Sequence, residues 1–208
     1  RAYMPSYTLY YFDLRGFAEV SRQLFALSGT PYTDNRIAHE DFPKYKDSMP
    51  FGKAPVLEID GKKLPQSLAI ARYLANQFGY AGKTPFEAAW VDALADQAKD
   101  FQTEFQPYMA VATGRVPGDK DKLLKEVGQP ALERFFGILE KQLKETGSGF
   151  LVGNSLTWVD LLLADHTDVI SGLVPGFLDA YPKVLEHRKK VHSNDKIKAW
   201  LELRPKTP

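Results

Sequence analysis

The chain has 208 residues, 44% of them hydrophobic and 25% charged, with a formal net charge of +1; that is enough to bury one large core or two modest ones, and the charge balance argues against a dedicated nucleic-acid surface. It contains no cysteine and no Asn-x-Ser/Thr acceptor, which removes disulfides, thiolate metal sites and cysteine nucleophiles together. No stretch approaches the roughly 18 apolar residues of a membrane span and no signal-peptide core is apparent, so no membrane association is expected, and the absence of cysteine and sequons fits a cytoplasmic address.

Arg1, Ala2 and Tyr3 precede Met4 and are set aside. Tyr7 to Phe12 is rich in strand formers and is stopped by Asp13. Ala18 to Ser28 carries Val20, Leu24, Phe25 and Leu27 at helical spacing before Gly29 ends it. Tyr32 to Ile37 reads as a second strand. Pro55 to Ile59, the Asp60-Gly61 turn and Lys62 to Leu64 read as a β-hairpin. Ser67 to Phe78 is an amphipathic helix closed by Gly79. The order β-α-β then β-β-α predicts a small mixed sheet covered by helices over residues 4–79.

Residues 80–85 form a short linker, and from Phe86 the signals are helical. Helices are expected over Glu87 to about Thr113 and over Asp121 to Glu145, the latter interrupted near Gly128 and Pro130. Others are expected over Thr157 to about Ser171, Tyr181 to His192 and Asp195 to Leu203. Residues 86–208 are therefore assigned to an all-α domain. The basic run His187-Arg188-Lys189-Lys190 reads as the solvated face of a late helix. Thr157 and Asp160 have capping-box spacing, which makes Asp160 a folding residue whose loss costs about 1 kcal/mol as a cap.

Few residues suit a metal. His39, His166, His187 and His192 include no i,i+4 pair, so no metal is expected. No phosphate loop or Gly-x-Ser-x-Gly elbow occurs, and His166 reads as packed or solvated. The N-terminal half offers another constellation. Tyr11 lies near the end of the first strand, before the Phe12-Asp13-Leu14-Arg15-Gly16 turn, where α/β folds bind ligands. Pro50-Phe51-Gly52-Lys53-Ala54-Pro55 enters the hairpin, and Pro55 is a candidate cis proline that would present the Ala54 peptide groups to an extended peptide ligand. Gln66-Ser67 opens a helix whose free N–H groups suit a carboxylate. Each feature alone is ordinary: the chain has ten tyrosines, and Pro55 and Ser67 suit any turn and any N-cap.

Taken together, Tyr7 to Gly16, Pro50 to Glu58, Gln66 to Leu74 and the Thr157/Asp160 box resemble the cytosolic glutathione transferases. Within them the chain is similar to the sigma-like class that includes haematopoietic prostaglandin D synthase and many nematode enzymes; the end, Arg204 to Pro208, also resembles nematode members. The resemblance runs from Met4 onward. It implies a thioredoxin-like N-terminal domain, an all-helical C-terminal domain, a homodimer and glutathione as substrate. Position by position, it implies that Tyr11 stabilises the glutathione thiolate and that Gln66 and Ser67 hold the γ-glutamyl carboxylate. Ala54 pairs with the cysteinyl unit, Lys46 and Lys53 lie near the glycyl end, and Asp100 reaches the γ-glutamyl amine in the partner subunit's site. Two residues depart from the pattern. Phe17 stands where many sigma-like members have arginine, and Phe42 where several have a tryptophan in the glutathione site.

A free thiol has a pKa of about 8.5, so only a few per cent is thiolate at pH 7. A phenol hydrogen bond favouring the anion by roughly 2 to 3 kcal/mol lowers that pKa by about two units. With no cysteine in the chain, the substrate supplies the sulfur. The expected activity is conjugation of glutathione to hydrophobic electrophiles in detoxification, with a pocket between the domains built from Phe12, Leu14, Phe17, Gln102 and Tyr108. Glutathione-dependent isomerisation of a prostaglandin endoperoxide and non-catalytic carriage of haem or another hydrophobic ligand are the alternatives.

Overall fold

The structure is a computed structural model and describes residues 4–207; Arg1, Ala2, Tyr3 and the final Pro208 lie outside the described residues. The chain divides into two compact units. One runs to Tyr80 and resumes at Ser193, and the other spans Ala81–His192.

The first unit is built on a four-stranded sheet of order β2-β1-β3-β4. Strand β1 is Tyr7–Phe12, β2 Thr33–Ile37, β3 Val56–Ile59 and β4 Lys62–Pro65. β1 and β2 are parallel and joined through helix α1 (Glu19–Ser28), whereas β3 pairs antiparallel with both β1 and β4. The β3–β4 turn uses positive φ at Asp60 and Gly61 (49° and 81°), the primed-turn geometry that matches strand twist. Helix α2 is Phe42–Lys46, and α3 is Ser67–Phe78, ended by Gly79 at φ 82°.

Alternation along β1 sends Tyr7, Leu9 and Tyr11 into the interior. The core there holds Leu9, Leu24, Leu57, Ile70 and Leu74, all without exposed surface. Rings of Tyr7, Phe25 and Phe78 meet edge to face at its margin, with centroids 5.4 to 6.4 Å apart. A smaller cluster of Ile37, Met49 and Val56 is flanked by Tyr10, Phe42 and Tyr45.

The last helix, α9 (Asp195–Leu203), belongs to this unit, although sequence periodicity groups it with the helical half. The reason is specific bonding to α1. Glu19, 1% exposed, accepts hydrogen bonds from Trp200 Nε1 (2.8 Å) and Arg204 Nη1 (2.7 Å), and Lys196 Nζ donates to the Leu27 carbonyl (2.6 Å). A buried carboxylate needs such partners, and helical spacing alone does not name them.

The second unit is helical: α4 Pro85–Ala112, α5 Lys120–Leu123, α6 Gln129–Thr146, α7 Trp158–Leu173 and α8 Pro182–His192. The interruption expected near Gly128 is a π-helical turn over Leu124–Gly128. At Gly128 a side chain would sit 3.2 Å from the Tyr108 ring, so glycine permits the close approach to α4. Phe101 and Phe135 stack at 4.4 Å in this core. Among the described residues no helix is long and apolar enough to cross a membrane.

The Thr157/Asp160 capping box forms at the start of α7. Asp160 Oδ2 accepts the Thr157 N–H and hydroxyl, both at 2.8 Å, and Oδ1 accepts the Leu151 N–H at 2.8 Å and bonds His187 Nε2 at 2.9 Å. Asp160 and His187 side chains have no exposed surface. The basic run on α8 is therefore not a uniformly solvated face: His187 turns inward to Asp160, and Arg188 pairs with Asp168 at 2.6 Å.

Candidate functional site

Sheet register gathers the candidate residues of the first unit. Tyr10 pairs with Val56, and Val56 pairs with Pro65, so these three form a row across β1, β3 and β4. One or two residues beyond that row come Tyr11 on β1, Pro55 and Ala54 before β3, and Gln66 and Ser67 after β4. Strands lie about 4.8 Å apart, so β1 and β4 are separated by about 10 Å, close to the span of three extended residues. β2 ends at the same side, where Ile37 pairs with Phe12, and leads into His39 and Phe42.

Tyr11 is 5% exposed, and its Oη accepts a hydrogen bond from the Phe17 N–H at 3.1 Å. The turn that delivers this N–H depends on Gly16, whose φ is 40°. A Cβ there would lie 2.6 Å from the Tyr11 Oη and 2.5 Å from Leu14 Cδ1, so a side chain would push the hydroxyl away. Burial raises the Tyr11 pKa, opposed by the Phe17 N–H and the Arg22 charge. The phenol consequently stays protonated at neutral pH, and among the described residues nothing accepts its proton. It can donate to an anion at the end of the sheet. Tyr10 points to the other face, with Lys63 Nζ 5.8 Å from its ring centroid.

The Ala54–Pro55 peptide is cis. Gln66 caps α3 with φ 75°, a conformation that strains a residue with a Cβ, and no side chain caps the helix. The first N–H groups of α3 thus lack helical acceptors, and the backbone strain sits where a bound carboxylate would meet them. Lys46 and Lys53 are exposed, and the Lys46 stem runs past Gly52, with Cε 3.5 Å from where a Cβ would be. Phe42 is half-buried, its ring 5.0 Å from that of Phe12, which also stacks on His39 at 4.3 Å. At this position the ring supplies packing and no N–H donor. Phe17 is 55% exposed, so its contribution to the Tyr11 hydroxyl is its backbone.

Asp100 and Gln102 lie on α4 in the second unit, Asp100 exposed and Gln102 half-buried. His166 bonds the Leu162 carbonyl through Nδ1 at 2.7 Å, which makes Nδ1 the protonated nitrogen and leaves Nε2 to accept from Gln102 Nε2 at 2.9 Å. Burial lowers the His166 pKa, partly offset by the Leu162 bond, in keeping with a packed histidine. Tyr108 corrects the sequence expectation. It has no exposed surface, packs on Phe105 at 5.1 Å and donates its hydroxyl to the Leu173 carbonyl at 3.3 Å, so it serves the core and presents nothing to a ligand.

Sequence reasoning missed Gly16 and Arg22. Arg22 is 1% exposed within a helix whose neighbours Glu19, Val20, Ser21, Gln23 and Leu24 are also buried. The signal in the sequence is a charge set between Val20 and Leu24-Phe25 on one short helix, where an unpaired charge is costly.

Residues 7–76 match the glutathione S-transferase N-terminal domain and residues 100–204 its C-terminal domain. The chain belongs to the glutathione S-transferase family. It is 49% identical to probable glutathione S-transferase 7 of Caenorhabditis elegans, over 99% of this chain and all of that protein. The crystal structure of Na-GST-3, a transferase from the hookworm Necator americanus described as monomeric, superposes with a TM-score of 0.94 at 51% identity, covering 97% of this chain and 98% of the other. Rat haematopoietic prostaglandin D synthase in complex with a quinoline gives 0.87 at 36% identity, covering 98% and 99%. The activity is that of a glutathione S-transferase, on a thioredoxin-like sheet domain joined to helices. The C-terminal family domain extends into α9, which in this transferase packs with the N-terminal unit. Among the described residues no group of three or more His, Asp or Glu is arranged to hold a metal ion.

Proposed function

We propose that this transferase adds the glutathione thiolate to apolar electrophiles, with Tyr11 donating the hydrogen bond that keeps the sulfur ionised. The observation that carries this reading is the 3.1 Å bond from the Phe17 N–H to Tyr11 Oη. It occupies a lone pair of the phenol oxygen and leaves the O–H to serve as donor. Phe17 therefore supports the hydroxyl through its amide, although its side chain is not the cation many relatives carry. In the same reading Gln66 and Ser67 hold the γ-glutamyl carboxylate at the strained opening of α3, Ala54 pairs its backbone with the cysteinyl unit, and Lys46 and Lys53 attract the glycyl carboxylate. Phe42 offers an apolar wall. Phe12, Leu14 and Phe17 receive the electrophile.

The test is conjugation of glutathione to a general aryl halide by the purified protein. Turnover that saturates in both substrates is expected; retention on a glutathione column without turnover would sink conjugation and favour a carrier of haem or another hydrophobic ligand. Isomerisation of a prostaglandin endoperoxide ranks below conjugation because identity to the nematode transferase (49%) exceeds identity to the prostaglandin synthase (36%).

We further propose a cytoplasmic homodimer in which the exposed carboxylate of Asp100 reaches the γ-glutamyl amine bound by the partner subunit. A charge-assisted hydrogen bond of this kind contributes about 1.5 kcal/mol, so Asp100→Ala is expected to weaken glutathione affinity about tenfold without changing the melting temperature. Calorimetric titration measures the affinity and light scattering the assembly. Normal binding by the variant, or a monomer that binds as well as wild type, rejects the shared site.

A further inference from the structure

Arg22 is a fully buried guanidinium that the reading above leaves without a task. Its Nε contacts both carboxylate oxygens of Asp34 at 3.1 Å. Its Nη1 donates to the Leu14 carbonyl at 2.7 Å and the Arg15 carbonyl at 3.4 Å. Its Cζ lies 5.9 Å from the centroid of the Tyr11 ring. The two carbonyls belong to the turn whose Gly16 packs against the Tyr11 hydroxyl and whose Phe17 N–H bonds it. A single side chain on α1 thus ties β2, through Asp34, to the turn that fixes the phenol.

We propose that Arg22 is a positioning residue for the Tyr11 hydroxyl, its planar fork holding the Leu14–Phe17 turn in register and its charge making the neighbouring phenol a stronger donor to the bound thiolate. The proposal rests on the assignment of Tyr11 as the thiolate's hydrogen-bond donor. The surrounding charges fit it. Asp34 also accepts from Arg36 Nε at 2.8 Å, and Arg36 reaches Asp13 at 2.9 Å, so Asp34 is shared and Arg22 is not simply cancelled by a dedicated partner. Glu19, on the same helix, is engaged by Trp200 and Arg204. Fork geometry matters because a lysine ammonium is a point donor and cannot span a carboxylate and two carbonyls at once.

The experiment is Arg22→Lys, which keeps a cation beside Asp34 and so preserves the fold better than a neutral replacement. Titration of the thiolate absorbance of bound glutathione is read alongside the pH profile of kcat/KM. The titration midpoint is expected to rise by about one unit and kcat/KM at pH 6.5 to fall about tenfold, with the two enzymes converging above pH 9. A merely structural arginine would lower the melting temperature and the yield of folded enzyme while leaving the midpoint in place, and that result overturns the proposal. Combining Arg22→Lys with Tyr11→Phe separates the two assignments. No further rise of the midpoint in the double variant is expected, whereas an equal rise with and without the phenol shows that Arg22 does not act through Tyr11. If Tyr11→Phe alone leaves the midpoint unmoved, the assignment of Tyr11 fails, and that failure is distinct from a silent Arg22→Lys.

Discussion

Tyr11→Phe is expected to lower kcat/KM at pH 7 by about 30- to 100-fold, the equivalent of roughly 2 to 3 kcal/mol of thiolate stabilisation. The substitution removes only the hydroxyl, and the buried ring continues to pack edge to face against Phe12. Glutathione affinity is expected to change less than about threefold, because the carboxylate and backbone contacts proposed at Gln66, Ser67 and Ala54 are untouched. The deficit shrinks with alkalinity: once the pH exceeds the free thiol's pKa of about 8.5, the anion forms without help. A pH–rate profile on the purified variant therefore reads the mechanism directly. A loss of equal size at pH 6.5 and pH 9.5 would mean that the hydroxyl does something other than favour the thiolate. Unchanged activity would move the role elsewhere, and the strand direction narrows the choice. Tyr10 lies on the opposite face beside Lys63, which leaves the Phe17 amide and Arg15 as the neighbouring donors.

The second large effect falls on stability. Asp160→Ala is expected to destabilise the helical unit by about 3 to 5 kcal/mol, well beyond the value of an N-cap, because the carboxylate serves four buried donors. Its removal strands the Leu151 and Thr157 N–H groups, the Thr157 hydroxyl and His187 Nε2, all held at 2.8 to 2.9 Å. For a chain of this size that corresponds to a drop in Tm of roughly 10 °C or more. Thermal or urea unfolding of the variant measures it. A cost near 1 kcal/mol would restrict Asp160 to capping and make the bonds to Leu151 and His187 energetically incidental. Activity per folded molecule is expected to stay near wild type, since Asp160 lies in the helical unit and no part of the proposed thiolate site depends on it.

The difference between those two costs for Asp160 illustrates what is local and what is not. A Thr-x-x-Asp spacing ahead of an apolar run is a property of four consecutive residues, and the capping box forms as that spacing requires. The bonds to Leu151 and His187 join residues 9 and 27 positions away, and no local pattern encodes them. The same contrast holds across the molecule. The hairpin on Asp60-Gly61 and the helix closed by Gly79 follow from backbone conformations that few residues tolerate, so both are written in the sequence. The docking of α9 onto Glu19 depends on partners about 180 residues apart and is invisible to periodicity, which groups α9 with the helical half.

Tyr11 itself divides in this way. Local residue order is enough for a strand ending in tyrosine before a glycine-bearing turn, a hairpin entered through Ala54-Pro55, a helix opened by Gln66-Ser67, and a chain without any sulfur nucleophile. The remainder arises from packing. Register aligned Tyr10, Val56 and Pro65, bringing those three segments to one end of the sheet. Side-chain alternation buried Tyr11 and sent Tyr10 to the opposite face. The turn at Gly16 carried the Phe17 amide onto the phenol oxygen, and the packing of α1 placed Arg22 beside its ring. A short-range signal survives in sequence because it is a conformational preference of neighbouring residues. A hydrogen bond between segments exists only after burial and pairing have fixed their distance, and so it can be read only in the fold.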